Sequence, residues 1–290
     1  MSHTRVICCY SEGGTKVTFQ MPQAGGKKTR FQRLKLFISQ FDENWPKQPC
    51  AVASEEIERI KREAHIGREI CAFAGKQLLK GWPEEFQWYA ENLGECGCQF
   101  NFQIDFTVYP ISKNTLNKNR GHLPHLFIGQ LGIDSYYLAY DYSENLPTPH
   151  LVWASYSETL FRAADTLEKL LFASAFLNYA FYEYEWQYKC IFPASISNSS
   201  SIDENAYLER LSQKYYSILT ECQFQQAWFS TNTDQFFLKD DICFILSRDF
   251  DTDDTSHTLL GRMGSNNERQ IKHLIQIMQS NGIICEKIWR

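Results

Sequence analysis

Alternating apolar and polar residues are clearest in the stretch QFNFQIDFTVY, at residues 99–109. Successive side chains of a β-strand point to opposite faces of the sheet, so this alternation predicts a strand with one apolar face and one polar face. Three further β-type runs follow at residues 125–130, 136–141 and 151–155, and the connectors between them are of hairpin length. We therefore predict an antiparallel meander in the middle of the chain.

Helix signals flank this meander. Pro83 is well placed as the first residue of a helix. Backbone N–H groups in the first turn of a helix have no intrahelical partner, and proline lacks this N–H group, so no hydrogen bond is lost. Asp165 with Glu168, and Ser265 with Glu268, match the capping-box pattern, in which two side chains satisfy amides of the first turn. These pairs predict one helix directly after the meander and another near the C-terminus.

A stretch rich in proline, serine and asparagine at residues 193–204 separates two regions. We predict a first domain at residues 1–192, which opens with a β-hairpin at residues 5–21 and contains the meander. The second, smaller domain at residues 203–290 has the predicted order αββββαβ. The expected fold class is α+β, with a mixed, mainly antiparallel sheet that carries helices on one face.

Composition and charge narrow the function classes. The chain has 290 residues, of which 43% are hydrophobic and 22% charged, as is typical of a soluble globular protein. The net charge of -5 gives no general reason to bind nucleic acid or an anionic membrane. We expect a protein partner with a basic surface, such as a toxin domain, and a chain that is a monomer or a weak dimer.

The number of cysteines and the length of the apolar stretches predict the cellular compartment of the protein. No stretch approaches the roughly eighteen consecutive apolar residues of a membrane-spanning helix, and the first residues lack a signal-peptide core. Ten cysteines are spread thinly over a chain much longer than the small secreted scaffolds that need disulfides. We therefore expect a cytoplasmic protein with reduced thiols.

Three patterns resemble chemical sites but are incomplete. Cys96 and Cys98 form one close pair, whereas structural zinc needs four ligands. His122 and His125 flank a Leu-Pro pair in a predicted loop and lack the helical spacing and the glutamate of a zinc hydrolase. The aspartates within residues 249–254 lack the glycine and the twelfth-position glutamate of a calcium loop. We predict no catalytic site, no metal and no cofactor.

Aromatic and acidic residues concentrate on the hairpin predicted around residues 136–144, a composition suited to a protein interface that faces a basic partner. The alternative is that Tyr136, Leu138 and Tyr140 share one face and pack within the sheet. A second aromatic run, at residues 179–188, is interpreted as packing between domains, with an exposed hot spot as its alternative. The candidate partner-binding residues are Tyr136, Tyr140, Asp141, Tyr142, Glu144, Trp153, Asp249, Asp251, Asp253 and Asp254.

The order of elements within residues 126–171 has a recognisable form. An apolar strand ends in Gly129, the next strand ends in Asp141, a third contains Val152-Trp153, and a capped helix with Leu167, Leu170 and Leu171 follows. Upstream lie Trp82-Pro83-Glu84-Glu85-Phe86 and Leu93-Gly94. This order resembles the SUKH superfamily of immunity proteins and cell-wall-assembly regulators, whose Leu-Pro helix precedes an Asn-Gly turn. Trp82 stands where leucine is usual.

The resemblance covers residues 80–180 and carries several expectations. It implies a mixed sheet with helices on one face and no enzymatic activity. In bacteria it implies the neutralisation of a cognate toxin, often a nuclease, by direct binding, and eukaryotic members of the superfamily act as interaction hubs. We therefore expect an immunity protein, with an intracellular regulatory or scaffold protein that binds an endogenous partner as the alternative.

Overall fold

The computed structural model describes twelve ranges of the chain. The chain divides into two compact units. One is Asn44–Ser174, and the other is a discontinuous unit made of Met1–Glu43 with Ala175–Arg290. No helix in the described ranges is both long and apolar enough to cross a lipid bilayer. The described residues are 6–10, 16–20, 29–41, 53–55, 58, 84–93, 125–131, 136–141, 150–155, 160–192, 204–249 and 258–288.

The strands and helices are numbered in chain order. The strands are β1 (Val6–Tyr10), β2 (Lys16–Gln20), β3 (His125–Leu131), β4 (Tyr136–Asp141), β5 (His150–Ser155), β6 (Leu160–Ala164), β7 (Trp186–Ile191), β8 (Gln225–Gln226), β9 (Asp234–Lys239), β10 (Ile242–Asp249), β11 (Thr258–Ser265) and β12 (Ile284–Lys287). The helices are α1 (Arg30–Ile38), α2 (Glu84–Leu93), α3 (Leu167–Ala175), α4 (Glu204–Glu221) and α5 (Glu268–Ser280).

The unit Asn44–Ser174 contains a four-stranded sheet in the order β3-β4-β5-β6. Each strand is antiparallel to the next one in the chain, which confirms the predicted meander. The fourth strand was not predicted from the sequence. Its residues include Ala163 and Ala164, and alanine is depleted in strands, but both are fully buried here, so packing outweighs their local preference. The strand predicted at residues 99–109 lies outside the described residues.

The start of α3 is capped from two sides. Thr166 Oγ1 accepts a hydrogen bond from the Lys169 amide at 3.2 Å, and Glu85 Oε2 of α2 accepts one from the Leu167 amide at 2.8 Å. The predicted capping role of Asp165 is therefore wrong. Its carboxylate instead lies 2.8 Å from Lys169 Nζ, because the helix begins one residue later than the capping-box pattern places it.

The discontinuous unit is built on a six-stranded antiparallel sheet in the order β12-β7-β11-β10-β9-β8. From α4 onward the elements follow the predicted order αββββαβ, and the predicted α+β class is confirmed. The predicted domain bounds 1–192 and 203–290 do not coincide with the observed division. The reason is that β7, which precedes residue 193, pairs with both β11 and β12 and so belongs to this sheet. The predicted N-terminal hairpin is also confirmed, because β1 pairs with β2.

Helices α4 and α5 cover one face of the six-stranded sheet. Their apolar residues recur at helical spacing and are buried against alternate residues of the central strands. The N-cap of α5 is Asn267, whose side chain accepts from the Gln270 amide at 3.1 Å, so the predicted cap at Ser265 is wrong. The residues that meet in this core include Leu208, Tyr215, Ile218, Phe244, Leu246, Met263, Ile271, Leu274 and Met278.

Aromatic rings cover the other face of this sheet. A π-helical turn at Phe176–Ala180 directly follows α3 and carries Phe176, which is fully buried. Its ring centroid lies 5.5 Å from that of Phe236 on β9, 5.4 Å from that of Phe229 and 6.4 Å from that of Phe37 on α1. Helix α1 therefore packs with the C-terminal sheet although the two are far apart in the sequence.

Gly264 on β11 gives the first testable expectation. A Cβ at this position would lie 2.7 Å from Tyr184 Cδ2 and 3.2 Å from Phe181 Cε2, and both rings are buried. We expect Gly264→Ala to lower the free energy of unfolding by about 1–3 kcal/mol, as measured by urea denaturation, because overpacking displaces rigid rings. Gln276→Ala is the control, since it changes an exposed residue of α5 and its effect should stay within about 0.5 kcal/mol. Equal losses from the two substitutions would refute the steric explanation.

Candidate partner-binding surface

The structure places five of the ten predicted binding residues on strands. Tyr136, Tyr140 and Asp141 lie on β4, which has β3 and β5 as its two neighbours. Trp153 lies on β5, and Asp249 is the last residue of β10. The positions of Tyr142, Glu144, Asp251, Asp253 and Asp254 lie outside the described residues.

The strand register separates the tyrosine positions from the acidic one. Tyr140 is aligned with Leu151 of β5, and Leu151 is fully buried. Aligned residues of neighbouring strands share a face, as do residues two apart on one strand, so Tyr136, Tyr140 and Trp153 occupy positions on the face of Leu151. Asp141 occupies a position on the opposite face. The register thus puts the positions of Tyr136 and Tyr140 on one face and that of Asp141 on the other.

Asp141 is aligned with a histidine on each neighbouring strand. Its register partners are His125 on β3 and His150 on β5. This row places one aspartate and two histidines at the same level of three adjacent strands. His125 is the first residue of β3, where the strand predicted at residues 125–130 begins. The row is visible only in the register, because its members come from separate strands.

The aromatic run at residues 179–188 packs inside the discontinuous unit. Tyr184 is fully buried, and Trp186 and Tyr188 are half-buried against the core beneath α4 and α5. Tyr179 stacks on Phe41, with ring centroids 6.5 Å apart. The described part of the run therefore stabilises this unit and does not form an exposed hot spot.

A polar cluster spans three strands on the face opposite α4 and α5. Ser247 Oγ donates to Asp234 Oδ1 at 2.6 Å and accepts from Arg262 Nη2 at 2.9 Å. Thr233 Oγ1 also donates to the Asp234 carboxylate, at 3.1 Å. The arginine–aspartate pair and the two hydrogen bonds of Ser247 connect β9, β10 and β11 at this level of the sheet. No sequence motif indicates this cluster, because strand register alone joins its residues.

A groove of about 320 Å³ lies between the end of α4 and the first half of α5. Cys222 and Lys239 are among its lining residues, and Lys239 Nζ donates to the Cys222 carbonyl oxygen at 2.7 Å. Burial raises the pKa of Cys222, although the nearby Lys239 charge partly opposes this effect. The Cys222 thiol therefore stays protonated at neutral pH and is a poor nucleophile.

Across the ranges that the structure describes, no group of three or more His, Cys, Asp or Glu residues is arranged to hold a metal ion. Comparison of the chain with protein families, with curated proteins and with solved structures finds no match.

Proposed function

We propose that this protein binds another protein without catalysing a reaction, and that it is an immunity protein of the SUKH type which neutralises a cognate toxin. The observation that carries this proposal is the hydrogen bond from the Leu167 amide to Glu85 Oε2, at 2.8 Å. These residues are 82 positions apart and belong to the two separate stretches that resemble the superfamily. Their contact supports the interpretation of both stretches as parts of one folded unit.

The order of elements supports the same proposal. A strand containing Gly129, a strand ending at Asp141 and a strand containing Trp153 pair as consecutive antiparallel neighbours. The helix α3 follows them after β6. A register shift between Phe127 and Gly129 adds a β-bulge to β3, a feature that bends a strand and increases its twist.

The binding mechanism that we propose is electrostatic and steric occlusion. Acidic residues attract the basic, nucleic-acid-binding surface of a nuclease toxin, so encounter is fast and depends on salt. We assign the principal contact to the sheet face that holds the position of Asp141. Tyr136 and Tyr140 occupy positions on the opposite face, which is the face of buried Leu151. The net charge of -5 is consistent with a basic partner.

Charge reversal at Asp141 tests this mechanism. The probe is a candidate toxin domain encoded by a neighbouring gene, carrying an inactivating substitution, and affinity is measured by titration calorimetry at low and high salt. We expect Asp141→Lys to weaken binding by about tenfold or more at low salt and by less at high salt, because a like charge replaces an attractive one. The matched control is Glu209→Lys on the exposed face of α4, which changes the net charge equally. Equal weakening by both variants, or none by Asp141→Lys, contradicts the assigned face.

Growth rescue separates the two functional hypotheses. Co-expression with the active toxin domain should restore growth, and the two chains should co-purify. If the gene stands alone in its genomic neighbourhood and no toxin domain binds, the regulatory or scaffold alternative replaces the immunity proposal.

A further inference from the structure

Two cysteines meet on neighbouring strands at the edge of the six-stranded sheet. Cys190 on β7 is aligned with Cys285 on β12. Three levels further along the same ladder, the Ile288 amide donates to the Gln187 carbonyl oxygen at 2.9 Å, which marks that level as a hydrogen-bonded pair. Hydrogen-bonded and non-hydrogen-bonded pairs alternate in an antiparallel ladder, so the two cysteines form a non-hydrogen-bonded pair.

This kind of pair has the geometry that a cross-strand disulfide needs. Non-hydrogen-bonded partners have Cα atoms about 4.5 Å apart, which is within the range that disulfides span. The two Sγ atoms already lie 3.6 Å apart. Rotation of the side chains about their Cα–Cβ bonds is sufficient to bring the sulfurs into bonding distance, without displacement of either strand.

The surroundings of Cys190 hold its strand in place. Tyr215 Oη of α4 donates to the Cys190 carbonyl oxygen at 3.0 Å. On the side away from Cys285, Cys190 is aligned with Gly261 of β11, where an added Cβ would lie 3.0 Å from Cys190 Cβ. Cys190 is thus confined by α4 and β11, and the sulfur of Cys285 is its immediate neighbour across the ladder.

The two thiols differ in exposure and in acidity. Cys190 is fully buried, whereas Cys285 is half-buried on the edge strand. The hydrogen bond between the two thiols lowers the pKa of Cys285, against an opposing effect of burial. The same contact and burial raise the pKa of Cys190. Cys285 is therefore the thiol that reaches the thiolate form more readily and meets a solvent-borne reagent first.

We propose that Cys285 and Cys190 form a reversible redox pair whose oxidant is a hydroperoxide. The Cys285 thiolate attacks the terminal oxygen of the hydroperoxide, the O–O bond breaks, and the alcohol or water leaves with the proton. Cys285 becomes a sulfenic acid. The Cys190 sulfur then attacks Cys285 Sγ, the S–O bond breaks, and the hydroxyl group leaves as water with the proton of the Cys190 thiol as the disulfide forms. Two thiols are oxidised and one peroxide bond is reduced, and an external dithiol reverses the change.

The crosslink acts on an exposed edge of the sheet. Strand β12 pairs with β7 on one side and is the terminal strand in the order of the described sheet. Ile284 beside Cys285 is 43% exposed, and a strand edge that has no further neighbour among the described strands is a template for pairing with another chain. The disulfide ties β12 to a fully embedded strand and so prevents its detachment under oxidising conditions.

Peptide mapping of the full-length protein tests the proposal. The folded, reduced protein is treated with a small excess of hydrogen peroxide, blocked with an alkylating reagent and digested with trypsin without reduction. Cys190 and Cys285 fall in different tryptic peptides, residues 190–210 and 273–287, and each of these contains one cysteine. We expect a disulfide-linked species of these two peptides, which disappears after treatment with dithiothreitol.

Trapping of the sulfenic acid with dimedone tests the order of the two steps. In Cys190→Ser, we expect the dimedone adduct of Cys285 to accumulate at least about tenfold faster than that of Cys222, which is also half-buried but has a raised pKa. In Cys285→Ser, we expect Cys190 to remain unlabelled. Absence of the linked peptide from the wild-type protein overturns the proposal, as does labelling of Cys222 as fast as Cys285. If either variant fails to fold, the peptide mapping of the wild-type protein still tests whether the disulfide forms.

Discussion

Phe176→Ala is expected to lower the free energy of unfolding by about 3–5 kcal/mol, the range for truncation of a large buried aromatic residue. Phe176 is fully buried and touches the rings of Phe37, Phe229 and Phe236. Removal of its ring leaves a cavity among three other rings, which cannot collapse without moving α1, β9 or the segment before β9. Urea denaturation measures the loss, and amide hydrogen exchange in β9 localises it to the discontinuous unit.

Two control substitutions test whether the loss of the buried ring causes the destabilisation. Phe176→Leu keeps most of the volume and should cost less than about 1.5 kcal/mol. Leu36→Ala changes a residue of α1 that is 44% exposed, and its effect should stay within about 0.5 kcal/mol. If Phe176→Ala is no worse than Leu36→Ala, then the turn at Phe176–Ala180 does not join α1 to the C-terminal sheet.

Oxidation of the Cys190–Cys285 pair is expected to raise the free energy of unfolding by about 4–5 kcal/mol. The two residues are 95 positions apart, and closing a loop of this size removes that amount of conformational entropy from the unfolded chain in the chain-entropy model. Strain in the folded state would reduce this gain in stability. Because the two sulfur atoms already lie close together, formation of the disulfide should add little strain. Urea denaturation of the oxidised and reduced forms gives the difference.

The variants Cys190→Ser and Cys222→Ser separate this crosslink from other effects of oxidation. Cys190→Ser should abolish the gain, whereas Cys222→Ser should retain it in full. A gain that persists in Cys190→Ser would mean that another pair of cysteines is responsible. An oxidised protein that is less stable than the reduced one would mean that the disulfide distorts β12.

The functional proposal and the redox proposal stand on different parts of the molecule. The first rests on the meander β3–β6 and on the cap that Glu85 supplies to α3, all within one unit. The second rests on β7 and β12 in the other unit. Failure of the toxin-binding experiment therefore leaves the cysteine chemistry untouched, and the reverse also holds.

Local patterns were sufficient for most individual elements. The run at residues 136–141 was predicted as a strand and is β4, and the helical spacing of Ile271, Leu274 and Met278 matches the buried face of α5. Such predictions succeed because a period of two or of 3.6 residues reflects which side of an element is buried, and this information is contained in the segment itself. The N-cap residues were predicted less accurately. Asp165 and Thr166 are neighbours and both are suitable N-cap residues, so the position at which the helix begins decides which one caps it.

The candidate binding site was predicted only in part. The sequence brought Tyr136, Tyr140 and Asp141 together on one strand, which the structure confirms. It could not show that the position of Asp141 lies on the face opposite Leu151, nor that His125 and His150 flank it, because register between strands depends on hairpin geometry and on the burial of one face.

The sequence by itself determined the α+β class, the order αββββαβ of the C-terminal region and the positions of the main strands, because these follow from periodicity within short segments. Tertiary structure alone decided that β7 and α1 join the C-terminal sheet, that Glu85 caps a helix 82 residues away, and that two thiols 95 residues apart lie within 3.6 Å. Such contacts form when the folded chain buries apolar surface shared by distant segments, and no local pattern encodes which distant segment a given face will meet.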